Sequence, residues 1–409
     1  METKILIRRT ITVFTVFLIG VLGLLLPWHA TISALVPELR WWKELTLIAL
    51  GIISEGHILF ESVKTRRLRI STLEIFCTLF VLYGIILALM SSQIFYSAIA
   101  LRYIITGIVA LCICFTLGRY SSEKLSTIFV QFITISTALS VLLWLYDWSS
   151  GFSVLQNIYS ETISSWVPGQ VTQLYHEAWG LPRMQGGLSG PVAFGHLCLL
   201  CYCLNSLTRF KKWLQWTLKI ILIGGILASL SRGAWLGMLV FMGHEIWQWG
   251  RKNDIVIGKK WRILAGIIVV IVGSIITPKI LQRNGTMDHF TQPIEVLKIG
   301  IQSPIFGDLG SVGPAKRMQN MATINSDKAP IAENVLIDIF AQMGLVGLLL
   351  YLMIWWQIFT LSKNNIRVLV VIFFGLMQLA TLWDMTPLSI AVMGSFGLLM
   401  SNNRAEITD

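Results

Sequence analysis

Charge is what this chain has least of. Only 13% of its 409 residues are Asp, Glu, Lys or Arg, about half the share of an ordinary soluble domain. With 55% hydrophobic residues and a mean hydropathy of +0.71, that scarcity excludes a soluble globular protein and points to an integral membrane protein. Cysteine is also sparse. All six, Cys77, Cys112, Cys114, Cys198, Cys201 and Cys203, fall inside apolar segments, so a disulfide framework on an exposed face is not expected. No small-x-small cleavage site follows the first apolar run Ile11 to Leu26, where PWHATIS stands instead, so that run is read as a span and not as a signal peptide. The apolar segments are too long and too uniform for the alternating strands of a β-barrel. No internal repeat, low-complexity tract or linker marks a second domain. The expected fold class is therefore all-α, a single polytopic membrane domain over residues 1–409.

What is present is a series of twelve apolar segments: Ile11 to Leu26, Leu45 to Phe60, Leu73 to Met90, Tyr103 to Leu117, Leu125 to Tyr146, Pro191 to Leu207, Leu214 to Ala228, Ala234 to Trp247, Ile263 to Ile276, Leu336 to Leu361, Val368 to Trp383 and Leu388 to Met400. The seventh and eighth are separated only by SLSRG. Leu214 to Trp247 is 34 residues, too many for one span of roughly 20 and suited to two short ones joined at a tip. This division places Arg232 at a membrane face and avoids the cost of several kcal/mol for a guanidinium at the bilayer centre.

Twelve spans put Lys4, Arg8 and Arg9, the group from Lys64 to Arg69, Arg119 and Lys124, Arg209 to Lys212, Arg251 to Arg262, Lys363 and Arg367, and Arg404 in one set of short loops. By the positive-inside rule these loops and both termini are cytoplasmic. Much of the +11 net charge is then a topology signal, and no nucleic-acid partner is implied. The two long connections, Asp147 to Gly190 and Thr277 to Ala332, lie on the outer side, and long loops without obvious secondary structure are more often functional or disordered than mere links.

Several residues are candidates for chemistry. The run HLCLLCYC, His196 to Cys203, imitates metal-ligand spacing but sits in an apolar segment, so buried structural cysteines are the expectation and no metal site is assigned. Glu55, His57 and Lys219 fall within spans, where an ionisable group marks a relay or transport path, pairs within the bundle or snorkels to an interface. Arg183, in LPRMQGGLSGPVAFGHL, and Arg232 both stand beside glycines at the outer face, an arrangement suited to a diphosphate clamp as well as to holding the bundle's register. Gly307, Gly310 and Gly313 recur at threefold spacing, which fits a phosphate loop or simply turns. Glu333 and Asn334 precede the long tenth apolar segment, and a carboxylate is favoured at such a helix start.

Taken together, SLSRGAWLG, RMQGGLSGPVAFG and PIFGDLGSVGPA followed by ENVLIDIFAQMGLVGLL resemble the O-antigen ligase and O-antigen polymerase superfamily, bacterial multispan glycosyltransferases of the GT-C class. The likeness covers roughly the central and C-terminal two-thirds, with SRGAWLG its most specific piece. It implies transfer of a glycan from undecaprenyl diphosphate to an acceptor glycan on the outer face of the bacterial plasma membrane, without a metal or other cofactor. It further implies that Arg183 and Arg232 hold the lipid diphosphate. Ligases of the superfamily carry a histidine immediately before the asparagine at the tenth span; Glu333 stands there in this chain and resembles the polymerase-type members. The resemblance thus assigns Glu333, Arg232 and Arg183 to catalysis and Asn334, Gly307, Gly310 and Gly313, with both arginines, to substrate binding. The rival class is a flippase for a lipid-linked oligosaccharide, which calls for charges along a path through several spans; here the spans are nearly free of charge.

Overall fold

The computed structural model describes residues 2–66, 70–120, 124–154, 158, 176–178, 181–208, 210–253, 288–324, 329–332, 334–378 and 385–405. Its helices are α1 (Glu2–Leu25), α2 (His29–Leu35), α3 (Trp42–Thr65), α4 (Thr72–Met90), α5 (Ile94–Tyr120), α6 (Lys124–Ser149), α7 (Pro191–Leu207), α8 (Lys212–Ala228), α9 (Arg232–Lys252), α10 (Asp288–Gln302), α11 (Gly313–Ile324), α12 (Val335–Leu361), α13 (Asn364–Met377) and α14 (Thr386–Ala405), with 3₁₀ turns at Leu26–Trp28 and Pro37–Trp41. An antiparallel hairpin, β1 (His176–Ala178) and β2 (Leu181–Arg183), pairs His176 with Arg183 and is the one sheet among the described residues.

Six helical stretches among the described residues are long and apolar enough to cross a membrane: Thr10–Leu35, Pro37–Thr65, Thr72–Met90, Ile94–Tyr120, Lys124–Ser149 and Val335–Leu361. Pro191–Leu207, Asn365–Met377 and Thr386–Ser401 are apolar but shorter. The seventh and eighth expected spans correspond to α8 and α9, while Ile263 to Ile276 lies outside the described residues. The two long connections depart from expectation. They contain the β1–β2 hairpin and the helices α10 and α11, whose apolar residues recur at helical spacing but over too few residues to register as spans.

The bundle centres on α5, which is buried over most of its length and pairs most extensively with α14. Small residues allow that approach: Gly107 faces Ser389, Gly118 faces Ser401, and a Cβ at Gly397 would come within 2.6 Å of the Leu111 carbonyl oxygen. α4 begins with a capping box in which Ser71 N donates to Glu74 Oε2 at 2.6 Å and Glu74 N donates to Ser71 Oγ at 3.2 Å. Glu74 also accepts from Thr116 Oγ1 at 2.7 Å and Arg119 Nη1 at 2.8 Å, fastening α4 to α5. Lys219 pairs with Glu245 Oε1 at 2.8 Å, Glu245 Oε2 also accepting from Tyr202 OH at 2.9 Å, so α7, α8 and α9 are joined by charge as well as packing. The snorkelling open to Lys219 in the sequence is replaced by this pairing. His57 stacks on Tyr120 with ring centroids 5.9 Å apart, and Glu55 is exposed.

Candidate functional site

The site is built around the turn between α8 and α9. α8 ends at Ala228, and Leu230 takes a left-handed backbone (φ 49°), which is uncommon for a leucine and turns the chain sharply into α9. Ser229 stabilises the turn twice: its Oγ donates to Ile226 O at 2.7 Å and accepts from Ser231 N at 3.2 Å. Trp235 Nε1 donates to the same Ile226 carbonyl at 2.9 Å.

The hairpin strand β2 docks on this turn. Met184 N donates to Ala228 O at 2.9 Å, Arg183 Nε donates to Ser229 O at 3.0 Å, and Arg183 Nη2 reaches Leu230 O at 3.5 Å. The last carbonyls of a helix lack intrahelical partners; Met184 N takes that of Ala228, and Arg183 takes those of the C-cap Ser229 and of Leu230. Two arginines distant in sequence are thus joined to one three-residue turn: Arg183 grips its carbonyls, and Arg232 is the first residue of the helix that leaves it. Arg232 is half-buried, and α9 begins without a side-chain cap.

The glycines near these arginines have a different use from the one their sequence neighbourhood implies. Gly186 (φ 54°) is held against the Phe194 ring and Ser140, and a Cβ at Gly187 would come within 2.6 Å of Pro27 O. Gly187 N donates to Ser140 Oγ at 2.9 Å, and Gly187 O accepts from Ala30 N at 3.0 Å and Thr31 N at 3.3 Å. Their close approach is to α6, α7 and the start of α2. Gly233 likewise faces His196, whose Nε2 would lie 3.0 Å from a Cβ there.

Further contacts lead from this turn to α12. Gly233 and Gly237 pack on Leu376 of α13, and two residues later the Gln378 carbonyl accepts from Asn334 Nδ2 at 3.2 Å. Asn334 Oδ1 caps α12 by accepting from Leu336 N at 3.0 Å and Ile337 N at 3.1 Å. The asparagine assigned to substrate is therefore engaged at both ends of its amide by the protein. Glu333, the residue before it, lies outside the described residues.

Gly307, Gly310 and Gly313 all have positive φ, at 73°, 93° and 69°. The backbone of Gly307 is pressed against Gln342–Gly344, where α12 kinks at Gly344 (φ 65°). Asp308 N donates to Ala341 O at 2.9 Å, Gly310 N to Gln342 Oε1 at 3.2 Å and Gly313 N to Pro330 O at 2.9 Å. This geometry is the turn alternative for the glycine triplet, since the amides of Gly310 and Gly313 already donate to the protein.

Three buried polar groups near this end went unassigned in the sequence. His196, 1% exposed, directs Nδ1 at Val192 O at 2.8 Å, so that nitrogen carries the proton, and its buried Nε2 has no hydrogen-bond partner among the described residues. Asp338 is buried and held by Gln342 Nε2 at 3.1 Å to each carboxylate oxygen. Lys43 is fully buried, with Nζ 3.0 Å from His29 Nε2 and 3.2 Å from Glu44 Oε1, while Arg102 Nε donates to Glu44 Oε1 at 3.0 Å and stacks over Trp41. His196 and Asp338 find these partners one turn away in their own helices, and Lys43 meets His29 of α2, but the burial that sets each group apart depends on the packing of the bundle. The cysteines of HLCLLCYC are buried and free in α7.

Residues 217–352 match the family model for O-antigen ligase. This part of the chain is O-antigen ligase-like. The match bears out the resemblance to the O-antigen ligase and polymerase superfamily and supports a membrane glycosyltransferase of that type. It covers about a third of the chain, less than the two-thirds over which motifs were expected, and takes in Arg232, the three glycines and Asn334. Arg183 lies outside the O-antigen ligase-like region and reaches it through the hairpin. No curated protein matches the chain.

Proposed function

We propose that this protein elongates a surface polysaccharide: it transfers glycan repeat units from undecaprenyl diphosphate to an acceptor glycan on the outer face of the plasma membrane, as a polymerase rather than a ligase. The observation that carries the proposal is the junction of Arg183 with the α8–α9 turn inside the O-antigen ligase-like region. A guanidinium binds phosphate oxygens through a planar fork of donors, and fixed positive charge gains value as the leaving diphosphate becomes more negative. Arg232, on the first turn of α9, adds its charge at the positive end of a helix macrodipole.

The bond that forms joins the acceptor hydroxyl oxygen to the anomeric carbon, and the bond that breaks joins that carbon to the diphosphate. Glu333 takes the hydroxyl proton, a role for which a carboxylate beside positive charge is suited because it remains ionised. Asn334, the next residue in the chain, is anchored as the cap of α12. The test is deletion of the gene followed by analysis of the lipid-linked glycans that accumulate; single repeat units on the lipid are the expected species.

A further inference from the structure

Helix α10 and the turn after it play no part in the chemistry above, yet their surface is divided with care. At 3.6 residues per turn the helix has three sectors. Val296 and Gly300 are buried, and a Cβ at Gly300 would come within 3.1 Å of Ala341 Cα on α12. Glu295, Lys298 and Gln302 form an exposed polar stripe. Ile294, Leu297 and Ile301 form a third stripe that is apolar and equally exposed, Ile301 at 61%, and Ile305 and Phe306, the latter at 60%, prolong it into the turn.

The turn's backbone carries a second, independent mark. Three consecutive carbonyls accept a backbone hydrogen bond, Ser303 O from Gly307 N at 2.8 Å, Pro304 O from Leu345 N at 2.8 Å and Ile305 O from Val346 N at 3.3 Å, and Phe306 O lies 3.3 Å from Tyr83 OH, whose one proton it shares with Met343 O at 3.0 Å. Water would satisfy such groups without help. In hydrocarbon each one left unpaired costs several kcal/mol, and irregular backbone is tolerated there only when protein satisfies it.

Depth agrees. Tyr83 lies seven residues before the end of α4 at Met90, which places Phe306 O about 10 Å inside that end at the helical rise. The turn docks at the Gly344 kink, from which α12 runs on to Leu361, roughly 26 Å and close to the thickness of a bilayer's hydrocarbon core. Below the kink α12 exposes Leu345, Leu349 and Trp356, the surface a spanning helix shows to lipid, and the turn that carries Ile305 and Phe306 is bonded to α12 at Leu345 and Val346.

We propose that α10 and the turn to Phe306 form a foot dipped into the bilayer leaflet on the Arg183–Arg232 side, with Ile294, Leu297, Ile301, Ile305 and Phe306 among its acyl chains. The polar stripe lies at headgroup level, as in other interfacial amphipathic helices. The foot would hold the Gly307–Gly313 turn, and through Gln342 the start of α12, at a constant depth.

The test attaches an environment-sensitive nitrobenzoxadiazole label to Ile301→Cys, Phe306→Cys and Lys298→Cys in proteoliposomes, with the unaltered chain correcting for labelling of its own cysteines. Expected are blue-shifted emission at 301 and 306 with loss of emission when nitroxide-bearing phospholipids are included, and emission at 298 quenched by aqueous iodide. Iodide quenching at 301 and 306 to the extent seen at 298 overturns the proposal. So does a blue shift that neither quencher affects, which would mean that protein covers the stripe. Quenching that requires a nitroxide on a polyprenyl phosphate, and not on phospholipid, assigns the stripe to the donor's tail and also overturns it. Where a turn variant does not fold, Ile294→Cys gives the same discrimination. None of these outcomes depends on glycosyl transfer.

Discussion

Arg183 Nε lies 3.0 Å from the carbonyl oxygen of Ser229, so the guanidinium at the end of the hairpin holds the turn after α8, and the proposed function has it charge the site as well. Two functions in one side chain give a distinctive expectation. Arg183→Ala should lower both turnover and the melting temperature of the purified protein, the lost charged hydrogen bond costing about 2 kcal/mol. Arg183→Lys should recover part of the stability and little of the turnover, because an ammonium can reach one carbonyl but cannot present a fork. Full activity in Arg183→Ala would remove Arg183 from the diphosphate site.

Arg232 separates from Arg183 in the same pair of measurements. It starts α9, whereas Arg183 holds the carbonyls of the turn before that helix. Arg232→Ala is predicted to cost on the order of a hundredfold in turnover, the loss typical of one preorganised donor, with a smaller change in melting temperature than Arg183→Ala. Equal stability losses with unchanged turnover would reduce Arg232 to a structural residue.

The glycine triplet was visible in sequence, but its meaning depends on which neighbour each glycine meets. Gly307 has no room for a Cβ against the Gln342–Gly344 backbone, whereas the Cβ position at Gly313 is open. Both have positive φ. Gly313→Ala should therefore cost roughly the 1–2 kcal/mol of a left-handed alanine, and Gly307→Ala that amount plus displacement of the α12 kink. Thermal melts in detergent compare the two directly. Indistinguishable melting temperatures would contradict the interlock.

The legible parts of the fold were those written in runs of one residue class. Apolar length revealed α1, α3 through α9 and α12 through α14, and the isolated Arg232 marked the turn between α8 and α9. Groups whose roles depend on a distant partner were not legible. Asn334 reads as a polar residue beside Glu333 until the Leu336 and Ile337 amides and Gln378 O are seen around it. Lys219 and Glu245, 26 residues apart on different helices, could not be paired in advance. α10 was hidden because a half-exposed helix of 15 residues falls below the length that identifies a span.

Sidedness follows from the lysine and arginine bias and can be checked on whole cells. Thr323, exposed on α11, and Lys363, exposed between α12 and α13, should be on opposite sides. Thr323→Cys is expected to react with a membrane-impermeant maleimide in intact cells, and Lys363→Cys only after permeabilisation. The reverse pattern would put the Arg183–Arg232 end in the cytoplasm, away from a flipped lipid-linked donor.

The last prediction concerns Glu333, which the resemblance places where ligases of the superfamily carry histidine. A carboxylate held near Arg183 or Arg232 stays ionised and accepts a proton, so it can activate an acceptor hydroxyl without the histidine. Glu333→Gln keeps the shape and removes the base. If this protein joins repeat units, deletion of its gene leaves lipid-linked single units, and the Gln variant, at normal protein level, reproduces that pattern. Glu333→Asp should retain some activity, since it keeps the base one methylene farther from its place. Accumulation of full-length polymer on its lipid carrier in the deletion strain would identify a ligase and take the acceptor-activating role away from Glu333 as a marker of polymerisation. Accumulation of neither species would remove glycosyl transfer itself, and with it the assignment of both arginines to a lipid diphosphate.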